Sequence, residues 1–397
     1  MQRSLLERFI ENIITKHVNV LMFSYYFPPQ YSGSALQAIN LSMKLREKGV
    51  NVAFLTVNHD EISEIDEVEG FRVFRTREGK GKYGESLLWK NMWNFLIKRR
   101  SEFDIIHSHG AYLRNSFVGP LSKLLGKKSL IKVSLAGDDL YGLGKGKSGW
   151  LHKKFITMVD RYISISKGIT KELRKYGFPE ERIKEIPNGV NTERFCPVSQ
   201  GQKIALRRKF GFPEDDLMLL YVGVIDVRKN VRWLIELWDK LSHYYQGFLV
   251  VVGPMSREDR DMKLYNSLKE YEKKLRNRLF LIQYSDVVQD FYRMADIFVL
   301  PSTNEGMPNV VLEAMSSGIP CIANKVSGAE DIINGENGLL FDIQEPHTLF
   351  HCLMKLKDVA FRYAMGKKAR DVITKYYSLD SVADQYLRLY EEVTMSQ

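Results

Sequence analysis

Residues 296–320 read DIFVLPSTNEGMPNVVLEAMSSGIP, and this one stretch spells out the repeating unit of the fold. Ile297 to Leu300 form an unbroken apolar run, the mark of a strand buried on both faces. Pro301, Glu305, Gly306 and Pro308 make a loop. A helix is then expected from near Asn309 to Gly318, where a glycine can close it. Working outward, the same strand–loop–helix unit recurs. Downstream strands are expected at Ile319 to Ala323 and Gly338 to Phe341. Upstream ones are expected at Leu279 to Ile282, Phe248 to Val252 and Leu217 to Val222.

A break follows in the upstream direction. Residues 196–216 hold Pro197, Gly201, Gly211 and Pro213 and no apolar strand. Before them a second series appears: Val18 to Ser24, Val50 to Val57, Phe71 to Phe74, Asp104 to His107, Leu130 to Ser134 and Tyr162 to Ile165. Strands alternating with helices imply parallel sheets covered on both faces. The expected class is therefore α/β, with two doubly wound domains, 1–195 and 196–375. Apolar positions Leu379, Val382, Ala383, Tyr386, Leu387, Leu389 and Tyr390 predict an amphipathic helix within 376–397 that packs back towards the first domain. Ligands are expected at the carboxyl ends of the strands and in the cleft between the domains. Residues 1–16 form another amphipathic stripe, through Leu5, Leu6, Phe9, Ile10, Ile13 and Ile14.

Composition narrows the class further. The chain has 397 residues, 44% hydrophobic and 27% charged, which excludes a disordered chain, a collagen-like chain and a small disulfide scaffold. Cys196, Cys321 and Cys352 cannot all pair and have no CxxC spacing, so reduced thiols without a zinc site are expected. No run reaches the roughly 18 apolar residues of a membrane span. Arg3, Glu7, Arg8, Glu11 and Lys16 interrupt the first stretch, which does not read as a signal peptide. The expected location is the cytoplasm, with peripheral contact at the inner face of the membrane as an option.

The net charge of +10 is uneven. The first 195 residues carry 32 Lys+Arg against 21 Asp+Glu, and the rest 26 against 27. The basic half suits an anionic membrane, an anionic acceptor or nucleic acid, or is only a soluble face. Arg72, Arg75, Arg77, Lys80 and Lys82 cluster before SLLWKNMWNFLI (86–97), and Lys98 to Arg100 follow it. Trp89 and Trp93 in that string read as core residues of a helix or as part of a lipid interface. No nucleic-acid module pattern appears, and no such partner is expected.

The loop and helix after Leu300 carry the chemistry. A helix start near Asn309 offers unpaired N–H groups and the positive end of the dipole, which suits a phosphate. Glu313, one turn in, can accept hydrogen bonds from two vicinal ribose hydroxyls. Glu305 in the loop can face a sugar; by spacing alone the two are equally a solvated pair. Arg228 and Lys229 follow an expected strand and Gly223. They are either a helix-start surface pair or two cations that stabilise a diphosphate leaving group without metal. Asp138 and Asp139 are the nearest approach to an acidic dyad, but they follow a first-domain strand, and no metal site is expected. GKGKSG (144–149) has the form G-x-G-x-x-G without a strand directly before it, and Tyr141 stands where a P-loop needs glycine. It reads as a mobile basic loop. His107 reads as structural, and His109, at a strand end, as structural or acceptor-facing.

The string PSTNEGMPNVVLEAMSSGIP closely resembles the E-x7-E region of retaining GT-B glycosyltransferases of family 4. The resemblance runs along nearly the whole chain. YSGSALQA (31–38) is similar to the family's glycine loop, with Gly33 kept and Ser34 replacing the second glycine. DIIHSHG (104–110), ISISKGI (163–169), EIPNGVNTERF (185–195), YVGVIDVRKN (221–230) and SGAEDIINGENGLLF (327–341) match further family strings. The resemblance implies two Rossmann-like domains and a nucleoside-diphosphate sugar as co-substrate, with no other cofactor. It implies transfer with retained configuration to a hydroxyl of a sugar, lipid-linked or polysaccharide acceptor on the first domain. The implied donor-binding residues are Gly33, Gly223, Arg228, Lys229, Glu305, Gly306, Met307, Pro308, Asn309, Val310 and Glu313. The implied catalytic residues are Glu305, Lys229, Arg228 and Asp139, with His109, Asp138 and Asp139 on the acceptor side. Two departures stand out. In LAGDD (135–139) Ala136 occupies the position of a supporting histidine, and Val224 that of an arginine after the loop glycine. A sugar-nucleotide epimerase or a catalytically weak binding scaffold is the alternative.

Overall fold

The computed structural model describes residues 18–30, 32–59, 62–79, 84–254 and 259–395. The expected helix over 1–16, and Lys80 and Lys82, lie outside the described residues. The described residues form two compact units, one of those within 1–164, 173–186 and 383–397, the other of those within 165–172 and 187–382.

Unit 1 is built on eight strands: β1 (Asn19–Ser24), β2 (Asn51–Val57), β3 (Ile65–Val68), β4 (Phe71–Thr76), β5 (Ile105–His109), β6 (Lys128–Val133), β7 (Arg161–Ser164) and β8 (Ile183–Glu185). Their order is β3-β4-β2-β1-β5-β6-β7-β8, parallel except for the β3–β4 pair. β5 is buried at every residue, and β1 and β6 at all but their first, as a sheet covered on both faces requires. β3 and β8 escape the apolar pattern, since both are short edge strands. β3 is acidic, and its Glu67 stands opposite Arg72 of β4. The described members of the basic run, Arg72, Arg75 and Arg77, are therefore paired. Arg75 is buried and bonds Asp66 at 3.0 Å and the Pro28 carbonyl at 2.8 Å. Arg72 meets Glu102 at 3.4 Å, and Arg77 meets Glu64 at 3.2 Å.

The last helix, Leu379–Met395, enters unit 1 from Ala383 onward. Its Tyr386 and Tyr390 are fully buried, and Glu392 bridges Arg161 of β7 and Lys184 of β8 at 3.0 and 3.1 Å.

Unit 2 holds β9 (Leu217–Val222), β10 (Gly247–Val252), β11 (Leu279–Ile282), β12 (Ile297–Leu300), β13 (Cys321–Asn324) and β14 (Gly338–Phe341), in the order β11-β10-β9-β12-β13-β14 and all parallel. Its core gathers Leu219, Tyr221, Leu249, Val251, Trp238 and Ile322. The chain crosses into this unit at Pro187, short of the expected 195, because residues 188–195 are bonded there. Arg370 donates to the Phe195 and Thr192 carbonyls at 2.8 and 2.9 Å. Residues 165–172 belong to it as well, through the Lys167 N–H to Asp331 at 2.7 Å.

The string GKGKSG is not a loop throughout: its last four residues open the helix Gly146–Ile156. Among the described residues, no helix is long and apolar enough to cross a membrane.

Candidate functional site

In a doubly wound sheet the chain leaves two neighbouring strands in opposite directions where the order reverses, and a crevice opens at their carboxyl ends. In unit 2 that point lies between β9 and β12. The loops after these strands, 223–230 and 301–308, therefore meet although their side chains lie some 75 positions apart. The Thr303 N–H and hydroxyl both donate to the Arg228 carbonyl, at 3.0 and 3.1 Å. Arg228 Nη1 donates to the Asn304 carbonyl at 2.7 Å. The Asp226 carboxylate accepts from the Lys229 N–H at 2.7 Å and shapes the turn. Gly253 lies against this turn so closely that a Cβ there would stand 1.8 Å from the Gly223 carbonyl oxygen.

Three charges converge at this junction. Lys229 Nζ lies 2.6 Å from Glu305 Oε1, and Arg228 Nη1 lies 3.4 Å from Glu305 Oε2. The Glu305 side chain is 8% exposed, Lys229 15% and Arg228 37%. The sequence reading treats the cations as a diphosphate grip and Glu305 as a sugar contact; the structure joins them in one ion-paired cluster.

Beside the cluster, the helix Asn309–Ser316 begins at Pro308 with no side-chain cap. The N–H groups of Asn309 and Val310 have no acceptor among the described residues. Gly306, Met307 and Pro308 are buried and set the path into the helix. Under them sits Gly328, at φ 77°, where a Cβ would lie 2.1 Å from the Gly306 carbonyl oxygen. Only a glycine fits that contact and that backbone. Glu313 lies one turn in, and its Oε2 accepts from the Tyr292 hydroxyl at 2.7 Å. Burial pushes its carboxyl up to about 7, against the opposing pull of the Tyr292 hydrogen bond and the Arg194 charge.

The residues expected on the acceptor side lie in unit 1, two of them buried and one exposed. His109 ends β5 but is only 3% exposed, and neither ring nitrogen has a partner among the described residues. Its ring lies 4.4 Å from that of His107, which bonds the Tyr390 hydroxyl at 2.8 Å. Burial first, then the His107 and Lys132 charges, hold His109 well below the usual histidine range. It is a neutral interior group rather than an exposed acceptor contact. Asp139 is also buried, with Oδ2 accepting from the Ser134 N–H at 2.6 Å, and burial pushes it up to about 6. Asp138 is exposed and accepts from the Tyr112 hydroxyl at 2.7 Å. Gly33 opens the helix Gly33–Glu47, capped by the Ser32 side chain, with open space where a Cβ would be.

Three supporting residues were not singled out from the sequence. Asn188 Nδ2 donates to Asn309 Oδ1 at 2.8 Å, and the Asn188 N–H contacts Met307 Sδ at 3.3 Å. Tyr292 orients Glu313, and Gly328 supports the loop. Asn188 and Gly328 lie inside strings quoted above, so a signal existed there; Tyr292 sits in an ordinary amphipathic helix and gave none. Among the described residues, no group of three or more His, Cys, Asp and Glu is gathered as metal ligands.

Comparison with known proteins gives the family. Residues 202–372 match the model of glycosyl transferases group 1, and residues 31–194 that of glycosyltransferase family 4. The chain is similar to an uncharacterised glycosyltransferase of Methanocaldococcus jannaschii, 26% identical over 94% of this chain and 98% of that one. It is also similar to the N-acetyl-alpha-D-glucosaminyl L-malate synthase of Bacillus anthracis, 24% identical over 75% of this chain and 77% of the other. Among solved structures, sucrose-phosphate synthase from Thermosynechococcus elongatus superposes with a TM-score of 0.81 at 22% identity, covering 96% of this chain and all of that one. HepE of Anabaena, in complex with UDP-glucose, superposes at 0.77 with 16% identity, over 95% of this chain and all of the other. These two likenesses are of fold.

Proposed function

The chain is a GT-B glycosyltransferase of family 4 type, and from that premise we propose that unit 2 binds a nucleoside-diphosphate sugar and that the enzyme passes the sugar, with retained configuration, to an acceptor hydroxyl. The observation that carries this reading is the convergence of Arg228, Lys229 and an uncapped helix start around one buried carboxylate. A diphosphate entering there competes with Glu305 for the same two cations. As the bond to the sugar breaks, negative charge grows on the leaving phosphate. Two fixed cations and a helix N-terminus stabilise it without reorganising, and no metal is needed for that step. Glu313, held by Tyr292, takes the ribose hydroxyls. Glu305 and the backbone after it hold the sugar. The complexes of HepE with UDP and UDP-glucose support a nucleotide sugar as donor. The acceptor class we favour is a glycolipid or growing polysaccharide, met by the basic first unit.

A thermal-shift screen of UDP-, GDP- and ADP-sugars tests the donor. A ligand at 100 times its dissociation constant stabilises by about 2.7 kcal/mol. The responding donor is then incubated with and without candidate acceptors, and the anomeric configuration of the product is read by NMR. Retained configuration in a product formed in EDTA is the expected result. An inverted product, a requirement for added magnesium or manganese, or an epimerised donor would each overturn the corresponding part. A donor that binds but is neither transferred nor hydrolysed would make the chain a scaffold.

A further inference from the structure

Unit 1 carries a face that the proposed transfer reaction does not use. Between Ile105 and Met158 the chain holds nine Lys and Arg but only two acids, Asp138 and Asp139. Asp139 is buried against its own loop, and Asp138 is bonded to Tyr112. Lys145, Lys147, Lys153 and Lys154, on the helix Gly146–Ile156 and at its start, are exposed, and none pairs with an acid among the described residues.

Apolar side chains stand among these cations. Trp150 is 60% exposed, with Lys154 Nζ 5.2 Å from its ring. Lys147, Trp150, Leu151 and Lys154 follow one another at helical spacing, so they share a face. Lys147, Trp150 and Leu151 also line a shallow open depression. Phe155, one turn past Leu151, lies 5.7 Å from Trp89 and 5.5 Å from Phe117 by ring centroids. Trp89 and Phe117 belong to a second shallow groove, between the helices Gly84–Lys98 and Val118–Leu124. Trp93 and Lys90 line it too, and so does Leu124, which is 72% exposed. An apolar strip thus runs from Trp150 to Leu124 with unpaired lysines beside it.

A soluble helix face gains nothing from exposing tryptophan and leucine among mutually repelling lysines. An anionic surface with an apolar interior removes both costs: the lysines neutralise phosphates, and the indole sits at headgroup depth. Nucleic acid would satisfy the lysines but leave Leu124 in water. We propose that this face of unit 1 is a docking surface for an anionic lipid bilayer, with Trp150 and Leu124 entering the interface. It replaces the ion-paired Arg72, Arg75 and Arg77 as the membrane contact. It sharpens the reading of a lipid-carried acceptor but does not rest on the transfer reaction, because its test reads binding alone.

The test is cosedimentation of the full chain with phosphatidylglycerol–phosphatidylcholine vesicles and with phosphatidylcholine vesicles, at low and high salt. Binding to the anionic vesicles alone is expected, weakening with salt as screening predicts. Substituting Lys145, Lys147, Lys153 and Lys154 with Glu should weaken it by on the order of tenfold or more. Trp150→Ser with Leu124→Ser should weaken it as well. The control makes the same charge change on exposed lysines of unit 2, Lys209, Lys355, Lys367 and Lys375, and should bind as the wild type. Brominated lipid should quench the wild-type fluorescence more than that of Trp150→Phe. All these side chains are exposed, and denaturation midpoints check that the variants fold. Undiminished binding by either face variant, an equal loss in the control, or equal binding to both lipids would overturn the proposal. So would binding to a DNA duplex without binding to vesicles.

Discussion

Replacing Lys229 with Met separates the two things its ammonium does. In the free protein it neutralises Glu305, at 2.6 Å and with the carboxylate 8% exposed. In the proposed reaction it faces the leaving diphosphate. Without Lys229, Glu305 keeps only Arg228, at 3.4 Å and more than a third exposed. Removing one partner of a buried ion pair costs roughly 3–5 kcal/mol. Arg228 remains and the site is not wholly sealed, so Lys229→Met should destabilise unit 2 by about 2–3 kcal/mol. Adding Glu305→Gln removes the stranded charge, and the double variant should return to within about 1 kcal/mol of the wild type. Activity should not follow. Turnover should fall on the order of 100-fold or more in Lys229→Met and stay low in the double variant. Urea denaturation at fixed salt reads the first effect, and donor turnover at saturating donor reads the second. Three results would refute the reasoning: a single variant as stable as the wild type, a double variant no more stable than the single, or turnover regained in the double.

Glu313 is pushed up to about 7 by burial, so donor affinity should strengthen between about pH 6 and 8 as the carboxylate ionises. In Glu313→Gln, calorimetry should find affinity flat with pH and weaker by roughly 1.5–3 kcal/mol for each charge-assisted bond lost; unchanged affinity would remove Glu313 from the site. Lys132 is 4% exposed, and burial pulls it from its ordinary 10.5 down to about 7. The native state therefore binds fewer protons than the unfolded chain between those values, and wild-type stability rises with pH across that window. At about 1.4 kcal/mol per pKa unit, Lys132→Met should be a few kcal/mol more stable than the wild type below pH 7. The gap should close towards pH 10.5, and one that stays constant with pH would contradict the burial argument. Gly328→Ala should displace the loop 305–308, costing more than about 1 kcal/mol of stability along with donor affinity; full affinity would show that the loop need not be held there.

Much of the fold was legible because parallel strands buried on both faces leave continuous apolar runs. Ile297–Leu300 and Leu217–Val222 come out at the expected limits. β3 and β8 did not, because an edge strand needs no such run, and IDEV and IKE look like surface loop. Missing β3 had a consequence for charge. Arg75 looked free because the carboxylate that neutralises it, Asp66, lies on that unrecognised strand. The described arginines of the apparent basic patch are ion-paired, while unpaired cations lie on and before the helix Gly146–Ile156, Lys145 and Lys147 of them in a string read as a loop.

The candidate site divides along the same physical line. Local geometry was readable: a strand, a loop and a helix start place Glu305 in the loop and Glu313 one turn into the helix whatever the rest of the chain does. What brings Lys229 to Glu305 is the strand order, in which β9 lies between β10 and β12. Order in a parallel sheet is set by which helices cover which face, and no run of residues encodes it directly. Asn188 shows the same limit from the other side. Its string follows the last strand of unit 1, so continuity along the chain assigns it there. Its amide instead donates to the Asn309 side chain in unit 2. The chain has already changed units before the proline- and glycine-rich break begins. A boundary read from composition marks where packing is loose, and the working boundary is where hydrogen bonds change partners.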